Sequence, residues 1–244
     1  MKQLFVIGNW KMNKSFSETA EFLEKLWFLY KKNKKELYPN LVFGIAPSFI
    51  NIPAFKLNRI KELKVAAQNI SHFNKNSRTG EVSGMMLKDL DVEYVIVGHS
   101  ERRLYCNEDN KVVNEKIKKA IENGIVPILC IGENSKEFQE NKTKEVIKKQ
   151  IKESLEGVDS KNIIITYEPE WAIGTGEAAT SENVEEIAKF IHSIVGKETK
   201  LLYGGSVCPE NVAELFKLED VDGFLVGKAS LDPEKFMKIL SLKK

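Results

Sequence analysis

The chain has 244 residues, 42% of them hydrophobic and 30% charged, which is an ordinary globular composition and excludes disorder as the main state. Thirty-seven Lys and Arg stand against 35 Asp and Glu, a formal net charge of +2. So even a balance provides no general field for nucleic acid or an anionic membrane, and any anion must be caught locally.

In chain order, continuous apolar runs of the kind expected for parallel strands covered on both faces recur eight times, with helical patterns between them. Leu4 to Ile7 predicts the first strand, and Ser15 with Glu18 makes a capping box ahead of Phe22, Leu23 and Leu26. The run Lys31-Lys32-Asn33-Lys34-Lys35 closes that helix, where the helix dipole favours lysine, and needs no partner. Strands follow at Leu41 to Ala46, Val65 to Ala67 and Tyr94 to Val97, then a helical stripe at Val113, Ile117, Ala120 and Ile121. Val126 to Ile131 precedes a stripe at Ile147, Ile151 and Leu155, and Ile163 to Tyr167 precedes one at Val184, Ile187, Ala188, Ile191, Ile194 and Val195. Leu201 to Tyr203 and Phe224 to Val226 complete the strands, and Asp232-Pro233 caps and opens the last helix. The helices after the third and seventh strands are short and weakly marked.

Eight strand-helix units without an internal linker predict one (β/α)8 barrel spanning residues 1–244 as a single domain, with an open doubly wound sheet as the alternative. The barrel is favoured because the strands end in chemically useful residues: Asn9-Trp10-Lys11, Ala46-Pro47-Ser48, Gln68-Asn69, His99-Ser100-Glu101, Gly132-Glu133, Glu168-Pro169-Glu170, Gly204-Gly205-Ser206 and Gly227-Lys228. In a barrel these ends meet around one mouth. Three cysteines, Cys106, Cys130 and Cys208, contain no close-spaced pair, so they imply neither a disulfide framework nor a metal site and fit a reducing cytosol. No stretch approaches the roughly 18 apolar residues of a membrane span, and the apolar start of MKQLFVIGNWKMN is too short for a secretion signal.

Lys11 could hold an oxyanion or phosphate as a point charge, with Asn9 on the same side of the strand to orient it. His99 stands where a strand runs into a helix N-terminus, whose positive end favours a neutral imidazole able to polarise a carbonyl. Glu168 closes an apolar strand, where a carboxylate shielded from water becomes a better proton acceptor. The residues after it, Pro169-Glu170-Trp171 and Gly174-Thr175-Gly176, read as that base's own lid, with a rigid start, an aromatic anchor and a flexible second joint. Gly174 to Ala179 brushes the dinucleotide fingerprint, but its glycines lie past the strand end and no acidic residue ends the next strand. Gly223 to Lys228 is one residue short of a P-loop and has Ala229 where Ser or Thr must bind magnesium. Gly204-Gly205-Ser206 and Gly227-Lys228 end the seventh and eighth strands, the usual phosphate position of a barrel.

Taken together, GNWKMN, GHSERR, YEPEWAIGTG, YGGSV and VGKASL resemble the triosephosphate isomerase family, in order and from end to end. The resemblance implies cofactor-free interconversion of two triose phosphates through an enediolate. Glu168 would shuttle the proton, His99 would act as the neutral electrophile, and Asn9 and Lys11 would steady the intermediate. Glu101 and Thr79 would support them, and Gly174, Ser206, Gly227 and Lys228 would grip the phosphate, largely through backbone N–H groups; no metal is implied. It further implies a cytoplasmic homodimer formed through the loop from Ser71 to Gly84, with Thr79 near the other subunit's Lys11 and Asn13 on the receiving side, and with no nucleic-acid or membrane partner. Three positions depart from the family pattern. Glu170 stands at a lid hinge that is commonly apolar, Lys228 replaces the usual second glycine of the eighth-strand turn, and Ser77-Arg78 replaces a small-plus-aromatic pair. Another barrel enzyme of sugar phosphates, or a barrel kept only for binding, remains the rival reading; the Lys11, His99 and Glu168 trio argues against both.

Overall fold

In the computed structural model, which describes residues 2–74, 77–172 and 179–242, eight parallel strands close into a barrel in sequence order. They are β1 Leu4–Asn9, β2 Leu41–Ala46, β3 Leu63–Ala67, β4 Tyr94–Val97, β5 Val126–Ile131, β6 Ile164–Tyr167, β7 Lys200–Tyr203 and β8 Gly223–Val226. Closure is made by β1 pairing with β8 in the register Phe5 to Gly223 through Gly8 to Val226.

Around the barrel run α1 Phe16–Asn33, α2 Gly84–Asp89, α3 Ser100–Tyr105, α4 Asn110–Glu122, α5 Ser135–Gln139, α6 Thr143–Ser154, α7 Ser181–Val195, α8 Val212–Leu215 and α9 Pro233–Leu240. The sequence-marked starts are present: Ser15 and Glu18 exchange side-chain and backbone hydrogen bonds at α1, and Asp232 caps α9 ahead of Pro233. The helices after β3 and β7 are short, as expected, at six and four residues. The connection after β2 is a 3₁₀ segment, Phe49–Leu57, with Pro53 inside it. Proline there has no N–H for an α-helical bond, which keeps the segment from winding as a regular helix.

Alternation along each strand sorts the core into two layers. On β1, Phe5 and Ile7 join Ile96, Ile128, Ile164 and Leu225 inside the barrel, while Leu4 and Val6 belong to the shell between barrel and helices. In that shell α7 buries Val184, Ile187, Ala188 and Ile191, each large aliphatic contributing about 1.5–3 kcal/mol relative to exposure. Among the described residues no helix is long and apolar enough to cross a membrane.

The seam between β8 and β1 tolerates no side chain at Gly223, because a Cβ there would lie 1.9 Å from the Phe5 carbonyl oxygen. Gly223→Ala is therefore expected to destabilise the chain by about 3 kcal/mol, the upper range for overpacking, seen as a lowered Tm in thermal unfolding. An unchanged Tm would show that the seam can relax.

Candidate active site

The same alternation that sends Phe5 and Ile7 inward brings Asn9 to the inner side of the rim, where it is buried. Trp10 turns outward and is fully buried, edge-on to Phe22 at 4.7 Å. The chain then takes a left-handed turn at Lys11, with φ of 51°, a conformation that costs an L-residue on the order of 1–2 kcal/mol. Hydrogen bonds hold it there: the Lys11 N–H donates to Asn9 Oδ1 at 3.1 Å, and Gln68 Nε2 donates to the carbonyls of Lys11 at 2.9 Å and Ala46 at 2.8 Å. The ammonium this fixes lies 2.7 Å from Glu101 Oε1.

His99 is the N-cap of α3 and is buried. Its Nδ1 accepts the Glu101 backbone N–H at 3.2 Å, so the ring proton belongs on Nε2, and Nε2 lies 3.6 Å from Glu168 Oε1. Behind it, Arg103 donates from Nε to the Gly98 carbonyl at 2.7 Å and from a terminal nitrogen to the Cys130 carbonyl at 3.3 Å, tying the ends of β4 and β5 together.

Glu168 continues the inward set of β6 and is buried. Its Oε2 is withdrawn from solvent and has no hydrogen-bond partner among the described residues, an arrangement that is costly in a core and therefore points to chemistry. Space for it comes from Gly204, where a Cβ would stand 2.6 Å from Glu168 Cγ. Cys130 of β5 lies against the same carboxylate; burial and then the Glu168 charge push its thiol well up.

Beyond Glu168, the start of the segment expected to form a lid is pinned. Trp171 Nε1 donates to Glu133 Oε1 at 2.9 Å, Tyr167 donates to the same oxygen at 3.2 Å, and the Trp171 ring stacks on Phe138 at 4.3 Å. Burial raises the Glu133 carboxyl, and the hydrogen bonds from Trp171 and Tyr167 partly oppose it. Ser206 donates its hydroxyl to the Ala172 carbonyl at 2.8 Å, so its side chain is engaged by the segment that follows Glu168. At the end of β8, Ser230 returns both its N–H, at 2.9 Å, and its hydroxyl, at 2.7 Å, to the Gly227 carbonyl. Among the described residues the amides of Ser206 and Lys228 donate to no backbone carbonyl.

Of the residues singled out from sequence, Asn9, Lys11, Glu101, His99 and Glu168 form one continuous chain of contacts across β1, β4 and β6. Ser206, Gly227 and Lys228 stand at the ends of β7 and β8. Thr79 is exposed in the loop after β3, and Gly174 lies outside the described residues. Gln68, Arg103, Cys130 and the space-making role of Gly204 were not assigned from sequence. Gln68 stood among the chemically useful strand ends, and Cys130 and Gly204 carried a readable signal as inward positions on β5 and β7; Arg103 carried none.

Comparisons with known proteins give the family. A family model described as triosephosphate isomerase matches residues 4–243. The chain is similar to the curated triosephosphate isomerase of Mycoplasmopsis pulmonis, 48% identical over 99% of this chain and 98% of that one. It is similar also to that of Mesomycoplasma hyorhinis, 47% identical over the full length of both, and to that of Mesomycoplasma hyopneumoniae strain 7448, 45% identical over 98% and 99%.

Glu170, next but one to Glu168, is half-buried, and its carboxyl is raised by burial and then by the charges of Glu137 and Glu168. A raised value in the fold means the proton is held more tightly there than in the unfolded chain. The linked stability is full below the unfolded glutamate value of about 4.3 and is lost as pH rises through the folded value. Glu170→Gln cannot ionise, so it is expected to resist denaturant better than the parent at about pH 8 and to match it at about pH 4. Equal midpoints at the higher pH would mean the buried charge carries no cost.

Proposed function

The chain belongs to the triosephosphate isomerase family and is an aldose-ketose isomerase, and from that premise we propose how its own residues interconvert dihydroxyacetone phosphate and D-glyceraldehyde 3-phosphate, a step of glycolysis and gluconeogenesis. The Glu168 carboxylate takes a proton from the carbon beside the carbonyl, leaving an enediolate. The Nε2–H of His99 gives its proton to the oxygen on which negative charge gathers and the imidazole takes up the proton of the neighbouring hydroxyl, and the Glu168 acid then returns its proton to the former carbonyl carbon. Lys11 lowers the energy of the developing oxyanion as a fixed positive charge, and Asn9 holds the Lys11 backbone in the turn that aims it. Glu101 serves twice, fixing the imidazole tautomer with its N–H and the ammonium with its carboxylate.

The observation that carries this reading is the buried, unpartnered Oε2 of a carboxylate whose other oxygen lies 3.6 Å from an imidazole nitrogen. Such a base can exchange a proton with a bound carbon acid without first shedding a hydrogen bond. The phosphate end is read as held by the amides of Ser206, Gly227 and Lys228, with Gly174 completing the grip when the lid is closed. Excluding water there would protect the enediolate from losing phosphate. The whole chain, residues 1–244, is taken as the catalytic domain.

The reading is tested with purified protein in a coupled assay with chelator present. Parent protein is expected to interconvert the two triose phosphates, and Glu168→Asp to turn over about a hundredfold or more slowly with an unchanged Tm, since withdrawal by one methylene misplaces the base. Near-normal turnover in that variant would remove Glu168 from its role. Activity confined to larger sugar phosphates would favour a different barrel enzyme.

A homodimer is part of the same proposal. The exposed side chains Met12, Ile50, Met85, Met86, Leu104 and Tyr105 all follow β1 to β4, giving one flank of the mouth an apolar surface that suits a second copy of the chain. The loop from Ser71 to Gly84 lies on that flank; Arg78 covers Phe73 at 4.5 Å, and Thr79 and Gly80 stand exposed beyond it. A cytoplasmic location fits the free thiols of Cys106, Cys130 and Cys208. Light scattering is expected to give twice the 27.7 kDa of one chain, and Met86→Glu to shift the population toward monomer. A parent protein that is monomeric at every concentration would refute the assembly.

A further inference from the structure

The phosphate end of the rim has a charge problem that backbone amides alone do not solve. The described residues that close β6, β7 and β8, 168–172, 179–180, 204–211 and 227–232, carry Glu168, Glu170, Glu210 and Asp232 and a single basic residue, Lys228. A phosphate dianion approaching that arc meets net negative charge, which Lys228 alone reduces.

The other cations at the mouth are already committed. Lys11 lies 2.7 Å from Glu101, and Arg103 is spent on the Gly98 and Cys130 carbonyls and on Asn110. The Lys14 ammonium sits over the rings of Trp10 and Phe22 at 5.4 and 5.1 Å. Lys228 forms no ion pair among the described residues, whereas lysines elsewhere on the surface commonly do.

Its starting point is also fixed. Ser230 is bonded back to Gly227 through N–H and hydroxyl, and the Trp10 indole at the end of β1 donates to the Ser230 carbonyl at 3.0 Å. Ala229 and Ser230 are buried and Lys228 is exposed, so a rigid turn between the ends of β8 and β1 presents one side chain outward, an ammonium on a flexible four-carbon stem. Beside it, a Cβ placed on Gly227 would meet nothing within 4 Å among the described residues, which leaves room there next to the amide of Lys228 itself.

We propose that the Lys228 ammonium is a phosphate-binding group in its own right, closing as a mobile point charge over the dianion that the neighbouring amides hold. This rests on the isomerase reading above and adds to it a cation that the turn would lack with glycine at this position. The side chain acts on binding. The phosphate takes no part in the proton exchange between the carbons, so substrate and transition state gain from the ammonium about equally.

The test compares parent, Lys228→Gln and Lys228→Arg in the isomerase assay, with inorganic phosphate as competing dianion, across a range of ionic strength. Lys228→Gln is expected to raise both KM and the inhibition constant of inorganic phosphate about fivefold, the order expected for one solvent-screened charge. Its kcat and Tm should be unchanged, and the dependence of KM on salt should be flatter. Lys228→Arg should restore the parent salt dependence. If Lys228→Gln keeps the parent KM, phosphate inhibition and salt slope, the ammonium plays no part and the inference is overturned while the isomerase reading stands. If the parent itself shows no triose phosphate turnover, that reading fails first.

Discussion

A parallel ladder that closes on itself leaves all its C-terminal ends on one rim, and this geometric constraint is what the rest of the molecule depends on. The order β1 to β8 is simple, but closure requires the backbone of β8 to approach β1 so closely that Gly223 can carry no side chain against Phe5. Once the seam is made, alternation along the strands does the placing. Asn9, Cys130, Glu168 and Gly204 continue the inward sets of β1, β5, β6 and β7, and so face one another although they are scattered over most of the chain.

What the rim then holds is a set of groups whose hydrogen bonds are only partly used. Glu101 occupies one nitrogen of His99 and leaves the other facing Glu168 at 3.6 Å. Gln68 and Asn9 hold Lys11 in a turn it would not adopt alone. Glu168 keeps one oxygen unpartnered in a place water does not reach. Each feature costs folding free energy, and the surrounding shell of packed aliphatic side chains offsets it. Glu133 and Glu170 extend the pattern to the lid segment, where carboxyls are raised by burial, so the same region concentrates charge that the fold would discard if stability alone were at stake.

Much of this was legible in the sequence, and the exceptions have physical reasons. The eight apolar runs marked all eight strands because strands covered on both faces need no polar alternation. β3 begins earlier than its apolar run because Lys64, which interrupts the pattern, is accommodated by pairing with Glu93 at 2.8 Å. After β2, Pro53 turned the expected helix into a 3₁₀ segment. The residues proposed to carry the chemistry were readable because strand ends seldom use Lys, His and Glu without reason. Their supports were not: Gln68 reaches back 57 positions to Lys11, and Arg103 reaches 27 forward to Cys130, distances no local pattern encodes. Gly204 read as part of a phosphate turn, whereas the structure gives it a steric duty, since any larger residue would displace Glu168.

The central claim is that one shielded carboxylate carries a proton between adjacent carbons while a neutral imidazole handles the oxygens. It is tested most directly by running the isomerisation in deuterium oxide and locating deuterium in the product by NMR. The account predicts that any deuterium incorporated lies on the carbon that receives the proton, and that turnover and exchange are both lost in Glu168→Gln. Turnover or exchange that persists in Glu168→Gln would contradict it.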